Sequence, residues 1–132
     1  MELDPVIAQV LEMGRGQPPL ESLSVAEARA AMLQRVELLK PFAPAGIEAI
    51  DSAIATAAGP LPIRLYRPGG AHGPLPVMVW LHGGGWVLGA HDSDDPFCRD
   101  LCKRSGALVV SVEYRHAPEA RFPAAVEDGH EG

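Results

Sequence analysis

The sequence has few basic residues, and none of them cluster into a patch. It contains 11 lysines and arginines against 17 aspartates and glutamates, a net charge of −6 over 132 residues. This balance argues against a nucleic-acid partner, because proteins that bind phosphate backbones carry clustered positive charge. Long hydrophobic runs are also missing, since the longest one, at 77–81, is far too short to cross a bilayer. We therefore expect no nucleic-acid partner and no membrane span.

A secretory leader and an abundance of cysteine are lacking as well. The N-terminus has neither the basic nor the apolar region of a signal peptide, so a cytoplasmic location is expected. The two cysteines, Cys98 and Cys102, lie four positions apart in a predicted helix. A metal-binding pair is one interpretation. We favour reduced, half-buried packing residues, because no histidine accompanies the pair.

Residues 1–45 are predicted to form a helical cap segment. Asp4-Pro5 is typical of a helix start, with proline at the first helical position. Ser24 and Glu27 have the spacing of a capping box, and the helix that they open is expected to end before Pro41. The apolar positions of this second helix share one face: Val25, Ala28, Met32, Val36 and Leu39.

Residues 46–132 have the pattern of an α/β domain. The predicted elements are strands at 47–57, 61–66 and 77–81, a helix at 92–104, a strand at 107–112 and a helix from Phe122-Pro123. The continuous apolar run at 77–81 is typical of a strand covered on both faces. Alternation of strands and helices at these spacings predicts a parallel α/β sheet.

A glycine-rich loop, His82-Gly83-Gly84-Gly85-Trp86, follows the strand at 77–81. Consecutive glycines let a backbone turn sharply and present its N–H groups to a ligand. Such a loop suits either a phosphate or the negative oxygen of a tetrahedral acyl-transfer intermediate. The spacing of phosphate loops is absent and no lysine is near, so the oxyanion interpretation is favoured over a phosphate site, with a simple tight turn as the open alternative.

Three segments in order resemble the hormone-sensitive-lipase-like (family IV) esterases, which have the α/β-hydrolase fold. Residues 81–89, Leu-His-Gly-Gly-Gly-Trp-Val-Leu-Gly, are similar to the oxyanion loop of that family. Residues 114–119, Tyr-Arg-His-Ala-Pro-Glu, resemble its Tyr-Arg-Leu-Ala-Pro-Glu, and residues 122–128 its next segment. The resemblance implies a partial α/β-hydrolase fold at 46–132, comprising the first strands of the central sheet.

The resemblance also implies roles for individual residues. The backbone amides of Gly83 and Gly84 would be oxyanion donors, Gly85 would permit the turn, and His82 would support the loop through its side chain rather than act as a base. Trp86 either lines the acyl pocket or belongs to the core.

Arg115 and Glu119 would brace the loop through charge-assisted hydrogen bonds, with an exposed ion pair as the alternative. His116 stands where the family has leucine, which changes the packing beneath the loop. A role for His116 as catalytic base is disfavoured, because nothing positions a nucleophile beside it.

The nucleophile motif of this fold, Gly-x-Ser-x-Gly, does not occur in the sequence. In α/β-hydrolases the serine, the acid and the histidine follow the oxyanion loop in that order. The chain is therefore expected to be a truncated fragment that is inactive alone. By the topology of the resembled family, the strand at 77–81 would be an unpaired edge in such a fragment, open to self-association.

The resulting prediction is a serine carboxylesterase of short acyl esters, acting when the missing half completes it. No metal or organic cofactor is implied. Two alternatives stay open: a non-catalytic module that binds a ligand or partner on the same fold, and an assembly piece that pairs through the exposed strand.

Overall fold

A computed structural model describes residues 3–39 and 43–132. In the N-terminal segment, helix α1 spans Pro5–Met13, a single 3-10 turn spans Leu20–Ser22 and helix α2 spans Val25–Leu39. The capping box is confirmed: the Glu27 carboxylate accepts from the Ser24 backbone N–H at 2.8 Å and from its hydroxyl at 2.6 Å. The predicted stop at Pro41 lies outside the described residues.

The second part of the chain alternates strands and helices as predicted. Its elements are β1 (Ile47–Thr56), β2 (Gly59–Pro68), β3 (Val77–Leu81), α3 (His91–Ser105), β4 (Leu108–Val112) and α4 (Ala124–Glu131). Helix α3 begins one residue before the predicted Asp92. Ser93 caps that end, because its hydroxyl accepts from the Ala90 N–H and donates to the Ala90 carbonyl.

The sheet is mixed, so the expectation of a purely parallel sheet is wrong. Its strand order is β1-β2-β4-β3. Strand β2 pairs antiparallel with both β1 and β4, and only β3 and β4 are parallel. The reason is local, because just two residues, Ala57 and Ala58, join β1 to β2. A connection this short allows only a hairpin, whereas β3 and β4 are joined through α3.

Two apolar clusters cover the two faces of the sheet. The α4 face holds Leu61, Ile63, Val110, Val112 and Tyr114. The α3 face holds Tyr66, Val109, Cys98 and Cys102, all 0% exposed. Tyr66 alternates in sequence with Leu61, Ile63 and Leu65, and α3 covers it on the opposite face of β2. That face is not buried throughout, because Pro62 is exposed and Arg64 is partly buried.

Strand β3 is the edge of the sheet, as expected, and it is not covered on both faces. Val77, Val79 and Leu81 are 59%, 52% and 47% exposed. They pair with Leu108, Val110 and Val112, so their side chains lie on the α4 face, where Gly129 of α4 approaches Leu81. Separately, none of the helices in the described part of the chain is long and apolar enough to cross a membrane.

Candidate functional site

The glycine-rich loop begins where β3 ends, next to the carboxyl end of the parallel strand β4. Ligands of α/β sheets bind at this edge, because the loops that leave neighbouring parallel strands converge there. Leu81 pairs with Val112, so the loop at 82–89 and the segment at 113–119 start side by side. The Ala117 N–H donates to the Trp86 carbonyl at 2.8 Å and ties the two segments together.

The loop has an unusual backbone, with three consecutive residues at positive φ. Gly84 has φ +132°, Gly85 +62° and Trp86 +60°. A Cβ on Gly84 would lie 2.0 Å from the Leu88 carbonyl oxygen, which itself belongs to the backbone. Nothing lies within 4 Å of a Cβ built on Gly85. Gly84 is therefore required by space and conformation, whereas Gly85 is required by conformation alone.

The amides of this loop are free to meet a ligand. The Gly84 carbonyl accepts from Val87 and Leu88, which closes the turn. Within the described residues, the N–H groups of Gly83, Gly84 and Gly85 donate no hydrogen bond. Gly83 and Gly85 are exposed and Gly84 is partly buried. The loop therefore offers adjacent unpartnered backbone donors, which can hold a negative oxygen.

His82 anchors the start of the loop from within the protein and is 3% exposed. Its Nδ1–H donates to the Gly83 carbonyl at 2.9 Å, and the Tyr114 hydroxyl donates to the His82 carbonyl at 2.5 Å. The His82 ring stacks on the Tyr114 ring with centroids 4.4 Å apart. Burial works against a charged ring, but Glu113 and the Gly83 carbonyl outweigh it and raise the pKa of His82. These contacts fit the predicted supporting role.

A group of titratable side chains lies beneath the loop, around the Glu113 carboxylate. One Glu113 oxygen accepts from the His91 backbone N–H at 2.7 Å, and the other lies 3.8 Å from His82 Nε2. Burial opposes ionisation of Glu113, yet His82 and His91 hold its pKa below the ordinary value. Burial lowers the pKa of both His91 and His116. His82, Glu113 and His116 each place a ligand-type atom within 4.8 Å of the others.

Ser111, His91 and Glu113 have the composition of a catalytic triad but not its accessibility. Ser111 Oγ lies 3.1 Å from His91 Nδ1, and His91 Nε2 lies 3.7 Å from Glu113. Ser111, the next-to-last residue of β4, is 0% exposed. Its hydroxyl is out of reach of any substrate, so this set has a packing role.

The expected partners of Arg115 and Glu119 need correction. Arg115 does not reach the glycine loop: its backbone N–H donates to Asp128 at 2.7 Å, and its guanidinium donates to the same carboxylate at 2.8 Å. Arg115 thereby fastens α4 rather than the loop. Glu119 pairs with Arg29, not with Arg115. Arg115 therefore bonds to α4 and Glu119 to α2. Their spacing of four positions in the sequence predicts neither partner.

Arg29, on α2, is the brace of the loop that the sequence did not single out. Its Nε donates to the Val87 carbonyl at 3.0 Å and its Nη2 to the Ala117 carbonyl at 3.0 Å. Both Nη atoms also bond to Glu119, at 2.8 and 2.9 Å. Glu119 therefore supports the loop through Arg29. A lone arginine on a helix carries no local signal of such a role, because its partners are 58 to 90 residues away.

Trp86 lies at the surface and not in the core, since 65% of it is exposed. Trp86 belongs to neither of the two apolar clusters of the described residues. Trp86 lines a cavity of about 500 Å³, together with the glycine loop, Tyr114 and α4. The strained φ of Trp86 is of the kind that clusters at functional sites. Its side chain is thus placed beside the free amides of the loop.

A second cavity, of about 590 Å³, separates α2 from the loop. Its apolar wall comes from Met32, Leu33 and Val36 of α2. Arg29, Arg115, His116, Glu119 and Ser93 supply the polar side. The N-terminal segment therefore contributes to a concave site, although the domain boundary near residue 45 stays a prediction.

The two cysteines pack inside the protein. Both are free and 0% exposed, which is deeper than expected. Burial raises the pKa of Cys98 to about 12 and that of Cys102 in the same direction. The thiols are therefore protonated and poorly suited to metal ligation, which favours the packing interpretation.

Comparison with known proteins finds relatives that are named as esterases. A family model for the alpha/beta hydrolase fold matches residues 78–132. Ethyl acetate hydrolase of Pseudomonas putida is 36% identical, with 97% of this chain and 43% of that protein covered. Esterase LipI of Mycobacterium tuberculosis is 38% identical, over 96% of this chain and 39% of the relative. A solved structure of a hyperthermophilic esterase from the archaeon Pyrobaculum calidifontis matches with a TM-score of 0.84 and 40% identity.

These matches confirm the fold class and the esterase resemblance. The Pyrobaculum match covers 97% of this chain, including the N-terminal helices, and 41% of the other. The chain thus spans about two fifths of the length of these three proteins.

Proposed function

Since this chain belongs to the α/β-hydrolases and resembles the hormone-sensitive-lipase-like esterases among them, we propose that its protein hydrolyses carboxylic esters by serine acyl-enzyme chemistry. The observation that carries the proposal is the row of unpartnered amides at Gly83–Gly85, held on a rigid loop at the carboxyl end of β3. Relatives named as esterases give the reaction class.

In this proposal the chain supplies electrostatic stabilisation. The N–H groups of Gly83 and Gly84 donate to the oxygen that becomes negative as the tetrahedral intermediate forms. One such donor typically contributes about 2.7–4 kcal/mol to transition-state stability. Gly85 allows the turn, His82 fixes its first peptide and Arg29 fixes its far side at Val87. Bracing matters because donors that are already fixed in place require no reorganisation free energy during the reaction.

Short acyl esters are the proposed substrates. Trp86 stands beside the free amides and would form one wall of the acyl pocket. One of the relatives is named an ethyl acetate hydrolase. The ester would thus lie with its carbonyl oxygen at the loop and its acyl chain against the indole.

We also propose that the 132 residues alone do not turn over substrate. They contain no Gly-x-Ser-x-Gly, and Ser111, which does contact a histidine, is buried. In this fold the second oxyanion donor follows the nucleophile, so the hole would also be incomplete.

The decisive experiment is to sequence the coding DNA beyond Gly132 and express the complete product. A downstream Gly-x-Ser-x-Gly, followed by an acid and a histidine, should accompany hydrolysis of p-nitrophenyl butyrate. The chain alone should show none above buffer, and replacing the motif serine by alanine should abolish the reaction. A folded complete protein that carries the motif and leaves the ester intact contradicts the proposal.

A binding module is the second candidate, and the cavity between α2 and the loop favours it. Arg29 and Arg115 line this space together with an apolar wall, a combination suited to a small carboxylate. Saturable binding of butyrate by the chain alone, with no downstream triad, would support this alternative in place of catalysis.

Association through β3 is proposed as a property of the isolated chain. Its edge exposes Val77, Val79 and Leu81 beside unpaired backbone groups. Such an edge is a template for pairing with another strand.

A further inference from the structure

Three side chains with metal-binding chemistry meet beneath the glycine loop, and neither the fold nor the proposed esterase reaction uses them together. His82 follows β3, while Glu113 and His116 follow β4. One ligand-type atom from each lies within 4.8 Å of the other two. The two imidazole rings are 5.2 Å apart between centroids and nearly perpendicular, at 78°. Two separate strand ends therefore bring two imidazoles and a carboxylate to one point.

Two nitrogens in this cluster have no partner. The Nε2 atoms of His82 and His116 are buried and make no hydrogen bond to any described residue. The His82 side chain is 0% exposed. Buried polar atoms are almost always satisfied in native proteins, so each exception requires an explanation. The 3.8 Å separation between His82 Nε2 and Glu113 is too long for a hydrogen bond.

The surrounding contacts orient the ligand atoms toward one another. His82 donates its Nδ1–H to the Gly83 carbonyl, which leaves the lone pair on Nε2. Metal-binding histidines usually make such a bond with their other nitrogen. One Glu113 oxygen is held by the His91 backbone N–H, which leaves the second oxygen for the cluster. These are the supports that a metal site needs, and they exist before any ion binds.

We propose that His82, Glu113 and His116 bind a divalent cation of the zinc class. Two imidazole nitrogens and one carboxylate oxygen match the preference of this borderline ion, and a water would complete four-coordination. Ligand atoms of a tetrahedral zinc site lie about 3.4 Å apart, so adjustments of up to about 1.4 Å complete the set.

An entry route is present. His116 lines the cavity of about 590 Å³ between α2 and the loop, and this cavity is open to solvent. The two arginines of this cavity are paired, Arg29 with Glu119 and Arg115 with Asp128, so neither is an unpaired positive charge on the route. Because His82 also fixes the first peptide of the loop, the bound ion would stabilise the loop from below.

The test uses the 132-residue chain, stripped with a chelator and titrated with ZnCl₂ by calorimetry and with CoCl₂ by visible spectroscopy. One equivalent of Zn²⁺ should bind and raise the melting temperature, and Co²⁺ should give the absorption of a four-coordinate site. The H116L variant introduces the leucine of the resembled motif and should bind roughly 100-fold or more weakly. The spectrum can be recorded on whichever oligomer the chain forms.

The matched control is H72A, since His72 is exposed and outside the cluster. H72A should bind zinc as the parent does. Circular dichroism and a metal-free melt would show that H116L is folded. The proposed site is wrong if H116L binds zinc as tightly as the parent chain does, or if H72A loses as much zinc affinity as H116L does. Either result leaves the esterase proposal standing, because that proposal depends on the loop amides and a downstream serine.

Discussion

At the scale of single residues, the three glycines of the loop differ in two respects: whether a Cβ would fit, and whether the backbone conformation allows one. Its three glycines look equivalent in sequence, yet each meets a different environment. Gly83 has room for a Cβ, Gly85 has room but a positive φ, and Gly84 has neither room nor an allowed φ for a side chain. The loop therefore tolerates substitution unequally.

Alanine at Gly84 and at Gly85 should separate these two requirements. G85A should lower the free energy of unfolding by about 1 kcal/mol, the cost of left-handed backbone for an L-residue. G84A should cost about 3 kcal/mol or more, because the new methyl group meets the Leu88 carbonyl and the loop must move. Urea unfolding measures both. A G84A protein as stable as G85A would show that the loop does not have this conformation.

At the scale of elements, α2 contributes side chains to the candidate site. The fork of Arg29 joins α2 to Val87, Ala117 and Glu119, so three separate parts of the chain depend on one side chain. The hydrogen bonds to the two carbonyls are partly buried, which makes them stronger than an exposed ion pair.

Removing the Arg29 fork should loosen the glycine loop. R29A should lower the free energy of unfolding, because two carbonyls and a carboxylate lose charged donors. Amide exchange at 84–89 should speed up. R15A is the matched control, since Arg15 forms only an exposed pair with Glu12 and its loss should change stability by less than about 0.5 kcal/mol. If R29A and R15A change the free energy of unfolding and the amide exchange equally, Arg29 does not brace the loop.

At the scale of the whole molecule, the two edges of the sheet differ in character. Strand β1 has Glu48 and Asp51 along an exposed edge, and charged residues discourage pairing with another chain. Strand β3 has only apolar residues and exposes most of them. Association should therefore proceed through β3.

A lysine in the middle of β3 should suppress this association. V79K places a charge at a side chain that is 52% exposed, and we expect self-association to weaken roughly tenfold or more. I50K is the control, because Ile50 is 51% exposed on the opposite edge. Sedimentation velocity over a range of concentrations measures both variants. The edge hypothesis is wrong if the parent chain is monomeric throughout, or if I50K disperses it as well as V79K does.

Much of the fold could be predicted from local patterns. The capping box at Ser24, the strands and the helices between them follow from periodicity and turn residues, because these signals act over a few positions. The mixed sheet was missed, although the two-residue connection at Ala57-Ala58 was a local sign of a hairpin. The cytoplasmic location, which no structural observation tests, stays a prediction.

By itself, the sequence determined the position of the loop and its esterase resemblance, because adjacent residues carry those signals. Only the tertiary structure decided that Arg29 holds the loop, that Arg115 binds Asp128, that Trp86 is exposed and that His116 stands beside His82 and Glu113. The physical reason is distance along the chain. Side chains that reach across many residues choose their partners through packing, and a linear pattern contains no record of that choice.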